Sequence, residues 1–358
     1  MKYIFIFMFF LITMKNVFAQ PGEIRYRDSV FNAVEMLTVT YGGNINYAGE
    51  MDSLKADVYS PSNDSAADRA MIIYMHGGGF MNGHRNDPGV KDLCRKLTLH
   101  GYVTASIDYR LGMNALSPLN MIEPAVRAVQ DLNGFIRFAK ANAAEWKIDT
   151  SKIFITGSSA GAIAVLAKAF TKIDSISATL GINSQDDLEG KTNDLPFTSS
   201  VAGAFSMWGA VFDTSWIQKG DMPVGCVHSI GDSTVPFNVG YNRRNKSHLL
   251  YGSLAIYNRA LSLGIPTALH GYESGQHDLG IKVAPYKDTT VQLISSFFYR
   301  LMHPETYHGS FLPEFEKPAG YYDNLDTKKY RSRKNRLMEF LNSRYAILKV
   351  FGKKQTQI

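Results

Sequence analysis

The sequence predicts an α/β fold, a mostly parallel sheet covered by helices. From residue 53 onward, short runs rich in β-branched and aromatic residues alternate with stretches that repeat apolar residues every three or four positions. That alternation is how strand–helix–strand units read. The composition, 45% hydrophobic and 20% charged, is that of a globular chain, neither disordered nor membrane-embedded. At 358 residues the chain exceeds the roughly 250–300 at which single cores stop growing, so one large domain with an appendage is expected. No internal repeat or low-complexity tract interrupts it.

The N-terminus comes first. Lys2 precedes an apolar run over residues 3–14, and Val17-Phe18-Ala19 offers a small-residue cleavage site, so residues 1–19 read as a signal peptide and the chain as secreted or periplasmic. The run is shorter than the roughly 20 residues a spanning helix needs, and no cysteine follows the cleavage site to take a lipid. Strands are then expected at 54–59, 70–75, 102–107, 153–156, 201–208, 224–229 and 267–272, and helices at 88–100, 124–146, 160–170 and 249–263. Gly101 and Gly264 end two of these helices by permitting a left-handed cap. Residues 171–200, polar and centred on Asp186-Asp187-Leu188-Glu189-Gly190, read as an insertion, either beside the site or over the surface. The domain is taken as 20–326. Beyond it, Leu337, Leu341, Tyr345 and Leu348 recur at helical spacing, so residues 327–358 form a basic amphipathic tail that docks on the body or meets an anionic surface.

The net charge of +6 belongs to that tail. Ten Lys and Arg lie in residues 327–358 against the single acid Glu339, and Lys2 and Lys15 leave with the leader, so the body is acidic at about −5 by the same count. Nothing in an acidic body points to nucleic acid as its partner, and none is expected. Cys94, in an expected helix, and Cys226, in an expected strand, are two isolated buried thiols rather than a disulfide framework.

Gly157-Ser158-Ser159-Ala160-Gly161 follows an expected strand and opens an expected helix. A G-x-S-x-G in that context forms a strained turn that lifts the central hydroxyl, here Ser159, above the sheet beside a helix N-terminus. His76-Gly77-Gly78-Gly79-Phe80 follows another strand, where glycines let amide N–H groups reach a site without a side chain in the way. Gly78 and Gly79, with Ala160 after the nucleophile, are the candidate oxyanion donors. A serine alcohol needs a base, and His277 stands in a polar loop directly after the last expected strand. His270 lies within that strand, and His76 is expected to fix the glycine loop by hydrogen bonding. The orienting carboxylate is Asp232, at the end of the strand before the one leading to His277. Asp213 is its rival, and Asp278 is too near the base in sequence to orient it. Phe80, Met81, Tyr109 and Trp208 are candidate pocket residues, though each reads equally as core.

The ordered set of His76 to Gly79, Asp108-Tyr109-Arg110-Leu111, Gly157 to Gly161, Asp232 to Pro236 and His277 resembles the H-G-G-G-bearing esterase and lipase group of α/β-hydrolases, which includes hormone-sensitive-lipase-like enzymes and bacterial carboxylesterases. The resemblance covers about residues 50–300. It implies an eight-stranded mixed sheet, ester hydrolysis with neither metal nor organic cofactor, catalytic roles for Ser159, Asp232 and His277, and oxyanion roles for Gly78, Gly79 and Ala160. The chain departs from many relatives in having only about residues 20–50 before the fold, without a longer helical cap. The expected activity is therefore hydrolysis of short-acyl esters through an acyl-enzyme, with acetyl or feruloyl groups of polysaccharide, polyesters and peptides as alternative substrates. A binding protein that keeps the fold without catalysis is the alternative of another class; oligomeric state is not legible.

Overall fold

The computed structural model describes residues 24–114, 121–172, 184–242, 248–284, 286–306 and 321–322. The expected leader and basic tail lie outside them. The chain forms β1 (Val34–Ile45), β2 (Met51–Pro61), β3 (Arg69–Met75), α1 (Pro88–Leu99) and β4 (Val103–Ile107). Two helices, α2 (Ile122–Ala141) and α3 (Ala143–Trp146), lead to β5 (Ile148–Ser158) and α4 (Ala160–Phe170). Then come α5 (Gln185–Glu189), β6 (Gly203–Met207), β7 (Ala210–Val211), β8 (Val224–Ser229), β9 (Val239–Tyr241) and β10 (Leu249–Gly252). The last are α6 (Ser253–Ser262), β11 (Thr267–Tyr272), α7 (Leu279–Lys282) and α8 (Tyr286–Met302).

Eight strands form one sheet in the order β1-β2-β4-β3-β5-β6-β8-β11. The pairs β1–β2 and β2–β4 are antiparallel and the other five parallel, which is the mostly parallel eight-stranded sheet expected. Residue alternation divides the core between the two faces, because successive strand side chains point to opposite sides. In β3, Met71, Ile73 and Met75 pack with Leu132 and Phe135 of α2 and Ile163 of α4. Ala70, Ile72 and Tyr74 pack with Val90 and Leu93 of α1 and Phe297 and Phe298 of α8.

The differences from the sequence reading have local causes. Residues 249–263 are not one helix: Leu249 to Gly252 pair antiparallel with β9 and β7, and the helix begins only at Ser253. A Cβ on Gly252 would lie 1.8 Å from Pro236 O, so the glycine marks a close backbone approach at the junction. The single helix expected over 124–146 starts at Ile122 and breaks at Asn142, whose side-chain amide donates to Phe138 O at 2.7 Å. Neither β1 nor α8 is among the expected elements, so the fold begins at Val34 and not near residue 50. Gly101 and Gly264 do end α1 and α6, with φ of 99° and 70°. Cys94 and Cys226 are free and buried, and burial pushes the Cys226 thiol up to about 12.

Within residues 171–200, 173–183 lie outside the described residues. The remainder docks along α2, where Asn133 donates to Leu188 O at 3.1 Å and Asn193 donates to Gly134 O at 2.9 Å. Lys168, Lys140 and Arg137 reach Ser199, Ser200 and Glu189 from beneath.

Candidate active site

The site stands where the parallel strands end. At the end of β5 the chain turns sharply at Ser159, with φ 53° and ψ −117°, and enters α4. That left-handed turn is a costly conformation for a residue with a Cβ, and the surroundings enforce it. Ser159 N donates to Met207 O at 3.0 Å. A Cβ on Gly161 would lie 2.2 Å from Met75 O, and one on Gly157 would lie 2.6 Å from Gly161 C, so only glycine fits either flank. Ala160 is the first residue of α4, and its N–H has no carbonyl one turn earlier to bond.

His277 follows β11, and Asp232 follows β8, its parallel neighbour. Nε2 of His277 is 2.9 Å from Ser159 Oγ, and its Nδ1 is 2.5 Å from Asp232 Oδ2. The other carboxylate oxygen accepts from Thr234 N at 2.7 Å and Val235 N at 3.3 Å. Burial opposes the charge on Asp232, but hydrogen bonding from His228 and His277 outweighs it and holds the carboxyl well below the usual carboxylate range. An ionised acceptor on one side obliges His277 to donate from Nδ1, which leaves Nε2 free to accept the Ser159 proton.

The glycine loop lies directly against Ser159, with a Cβ on Gly77 reaching 3.3 Å from Ser159 Cβ. Gly78 has φ 120° and no room for a side chain, since its Cβ would meet Asn82 O at 1.9 Å. His76 secures the loop: Nδ1 donates to Gly77 O at 2.7 Å, and the ring stacks on Tyr109 with centroids 4.4 Å apart. Burial lowers the proton affinity of His76 and keeps it neutral.

A cavity of about 1030 Å³ opens over the relay, lined by Ser159, His277, Gly78, Gly79, Ala160 and Phe80 among others. One part of its wall is apolar, from Met121, Ile163 and Val235. Another part carries Asp87, Asp92, Asp278, Lys282 and Lys287. Of the four pocket residues expected from sequence, only Phe80 lines this space. Met81 is 52% exposed on the loop, Tyr109 is buried with its hydroxyl donating to His76 O, and Trp208 is buried with its ring edge-on to His277. They are corrected to loop surface and packing beneath the site. The rival Asp213 is elsewhere, accepting from Ser215 N, and His270 packs on Tyr272. Asp278 does enter the site, with Oδ1 3.3 Å from His277 Nε2. Two partners escaped the sequence reading: Tyr74, bonded to Ser158 Oγ at 2.7 Å, and His228, behind Asp232. Among the described residues, no group of three or more His, Cys, Asp and Glu gathers to hold a metal ion.

Several known proteins similar to this chain carry the names of esterases. The BD-FAE family matches residues 56–192, which span the glycine loop and the serine turn. Esterase FE4 of Myzus persicae is 29% identical over 159 residues, 42% of this chain and 28% of that protein. Gut esterase 1 of Caenorhabditis briggsae is 31% identical over 121 residues, 34% of this chain and 21% of that protein. The matches thus span under a third of these relatives' own lengths. Thermogutta terrifontis esterase 2 superposes with a TM-score of 0.57 at 19% identity, over 74% of this chain and 94% of that one. By its sheet order and this superposition the chain has the α/β-hydrolase fold, and the sequences it resembles over its serine-turn half are those of esterases.

Proposed function

We propose that the protein is a serine carboxylic-ester hydrolase acting through an acyl-enzyme. The observation that carries this reading is the continuous relay from Ser159 Oγ through His277 to Asp232, at 2.9 and 2.5 Å, beneath the glycine loop. Ser159 Oγ attacks the ester carbonyl while Nε2 of His277 takes its proton, and Asp232 stabilises the imidazolium that results. Negative charge then develops on the carbonyl oxygen, where the N–H groups of Gly78, Gly79 and Ala160 stabilise it. One such donor contributes roughly 3–4 kcal/mol to the transition state. The alcohol leaves with the proton from His277, and water, deprotonated by the same base, hydrolyses the acyl-serine.

Short-acyl esters are the favoured substrates, including acetyl or feruloyl groups on polysaccharide. Support comes from the cavity, whose wall is partly apolar and partly charged, and from an esterase of similar fold solved with propionate bound. We take the enzyme to be exported, on the strength of Lys2, the apolar run over 3–14 and Val17-Phe18-Ala19; N-terminal sequencing of the mature protein should then begin at Gln20.

The test is turnover of a chromogenic acetyl ester by the purified protein and by Ser159→Ala. The variant should lose roughly 10⁶-fold in kcat while keeping its fold, because the triad acts as a unit. Near wild-type turnover without Ser159 would sink the assignment.

A further inference from the structure

Asp232 is approached from two sides, and only one belongs to the relay. Behind the carboxylate, on β8, His228 is completely buried. Its Nδ1 is 2.8 Å from Ser253 Oγ at the start of α6, and its Nε2 is 3.2 Å from Val235 O and 3.5 Å from Asp232 Oδ2. A carbonyl oxygen only accepts, so Nε2 carries a proton, and Nδ1 accepts the hydroxyl proton of Ser253. This tautomer is the opposite of the one His277 needs. The Nε2–H therefore faces both the loop carbonyl and the carboxylate oxygen that binds the catalytic base.

We propose that His228 is a positioning residue of this site: its Nε2–H, fixed by Ser253, ties the 232–235 loop together and offsets part of the charge Asp232 presents to His277. The inference rests on the ester-hydrolase reading. A carboxylate oxygen shared between two donors is a weaker acceptor toward each. Without the His228 donor, Asp232 stabilises the imidazolium of His277 more strongly, and the base form is reached only at higher pH. The other polar groups facing the relay stay unchanged. Asp278, paired with Lys282 at 2.7 Å, faces His277 Nε2; the Thr234 and Val235 amides face Asp232 Oδ1; the Cys226 thiol reaches Ser253.

The test compares pH profiles of kcat/KM on the chromogenic ester for wild type, His228→Leu and His228→Gln, with Ser159→Ala alongside. In His228→Leu the acid limb should move up by about 0.5 pH unit, with kcat lowered and KM little changed. The Gln side-chain amide reaches where Nε2 stood and should restore the wild-type limb. A His228→Leu profile superimposed on wild type, or shifted to lower pH, overturns the proposal, as does a shift that Gln leaves uncorrected. Should His228→Leu fail to fold, Ser253→Ala frees the tautomer and should move the limb the same way by less; an unmoved limb overturns the proposal. Activity persisting in Ser159→Ala would instead mean that the ester-hydrolase reading itself fails.

Discussion

Asp232 illustrates how one residue couples stability to chemistry. Its carboxyl is held below the usual carboxylate range although the side chain is buried, so its interactions favour the folded state while it is charged. The sign follows from proton counting. Above its unfolded value, about 3.9, both states are ionised and the stabilisation is complete; below it, the unfolded chain protonates first and the stabilisation falls away. Asp232→Asn should therefore lose less stability than wild type between about pH 4 and pH 2, measured by urea unfolding across that range. The same variant should lower kcat by roughly 10⁴-fold at neutral pH, less than loss of Ser159, because nucleophile and base remain. At this scale Ser159 and the glycine loop were legible because local chain geometry demands glycine at fixed offsets. Both flanks of Ser159 leave no space for a Cβ. His277 and Asp232 were legible only through chain order, since their meeting depends on β8 and β11 being neighbours. His228 was not legible, because nothing in a buried strand residue tells whether its ring meets a carboxylate or a packing partner. Tyr109 and Trp208 failed for the converse reason: aromatic residues next to a site look the same in sequence whether they line it or support it.

Between elements, two clusters of polar groups fix how α2 sits on the sheet. Arg110, after β4, donates from Nε to Asp131 at 2.9 Å and from Nη1 to Ile45 O at 3.1 Å, joining β1, β4 and α2. Asp131 also accepts from Thr192 at 2.8 Å, so the docked segment shares the same buried carboxylate. Arg110→Met would leave Asp131 charged without its main partner, a cost of about 3–5 kcal/mol. Arg110→Met with Asp131→Leu should recover much of that loss, and a denaturant titration of the three proteins reads the difference. The second cluster lies at the far end of α4, where burial pushes the Lys168 ammonium down to about 8. Between that value and the ordinary lysine value near 10.4, the unfolded chain binds the extra proton, so stability contributed by this group rises with pH. Relative to Lys168→Met, wild type should gain stability from about pH 8 to 10, and a constant difference would refute the assignment. These contacts also show why β1 was invisible in the sequence. It is an edge strand with Glu35, Met36 and Leu37 all exposed, so its pattern lacks the buried alternation by which central strands are read. In β10 the failure was different. Leu249, Leu250, Ser253 and Leu254 satisfy helical spacing, and only pairing with β7 and β9 makes the first part a strand.

For the whole molecule, the sheet order decides where the cavity forms, and on the ester-hydrolase reading the cavity lining decides which acyl group fits. Glycine loop, serine turn, Asp232 loop and His277 loop all follow parallel strands at the same edge, so the cavity forms between the connections that leave that edge. Its apolar wall is formed by Phe80, Val90, Met121, Ile163, Val235 and Ile281, and it is interrupted where the start of α1, α7 and the start of α8 add Asp87, Asp92, Asp278, Lys282 and Lys287. Four of these charges are paired along the cavity wall, Lys287 with Asp92 at 2.5 Å and Lys282 with Asp278 at 2.7 Å. An acyl chain long enough to pass the apolar wall would have to lie against those pairs and displace their water, and burying a charge without a polar partner is costly. A methylene that enters an enclosed apolar tunnel gains about 0.8 kcal/mol, roughly fourfold in kcat/KM for each carbon added. In this cavity that gain should stop once the chain outgrows the apolar wall. Across p-nitrophenyl acetate, butyrate, hexanoate and octanoate, kcat/KM should therefore rise little after butyrate and fall by octanoate. Replacing Asp92 and Lys287 together by Leu should extend the rise to longer chains, because it removes the charged barrier while leaving the relay untouched. A steady fourfold climb per methylene through octanoate in the wild-type enzyme would show an enclosed acyl tunnel and defeat the short-acyl reading.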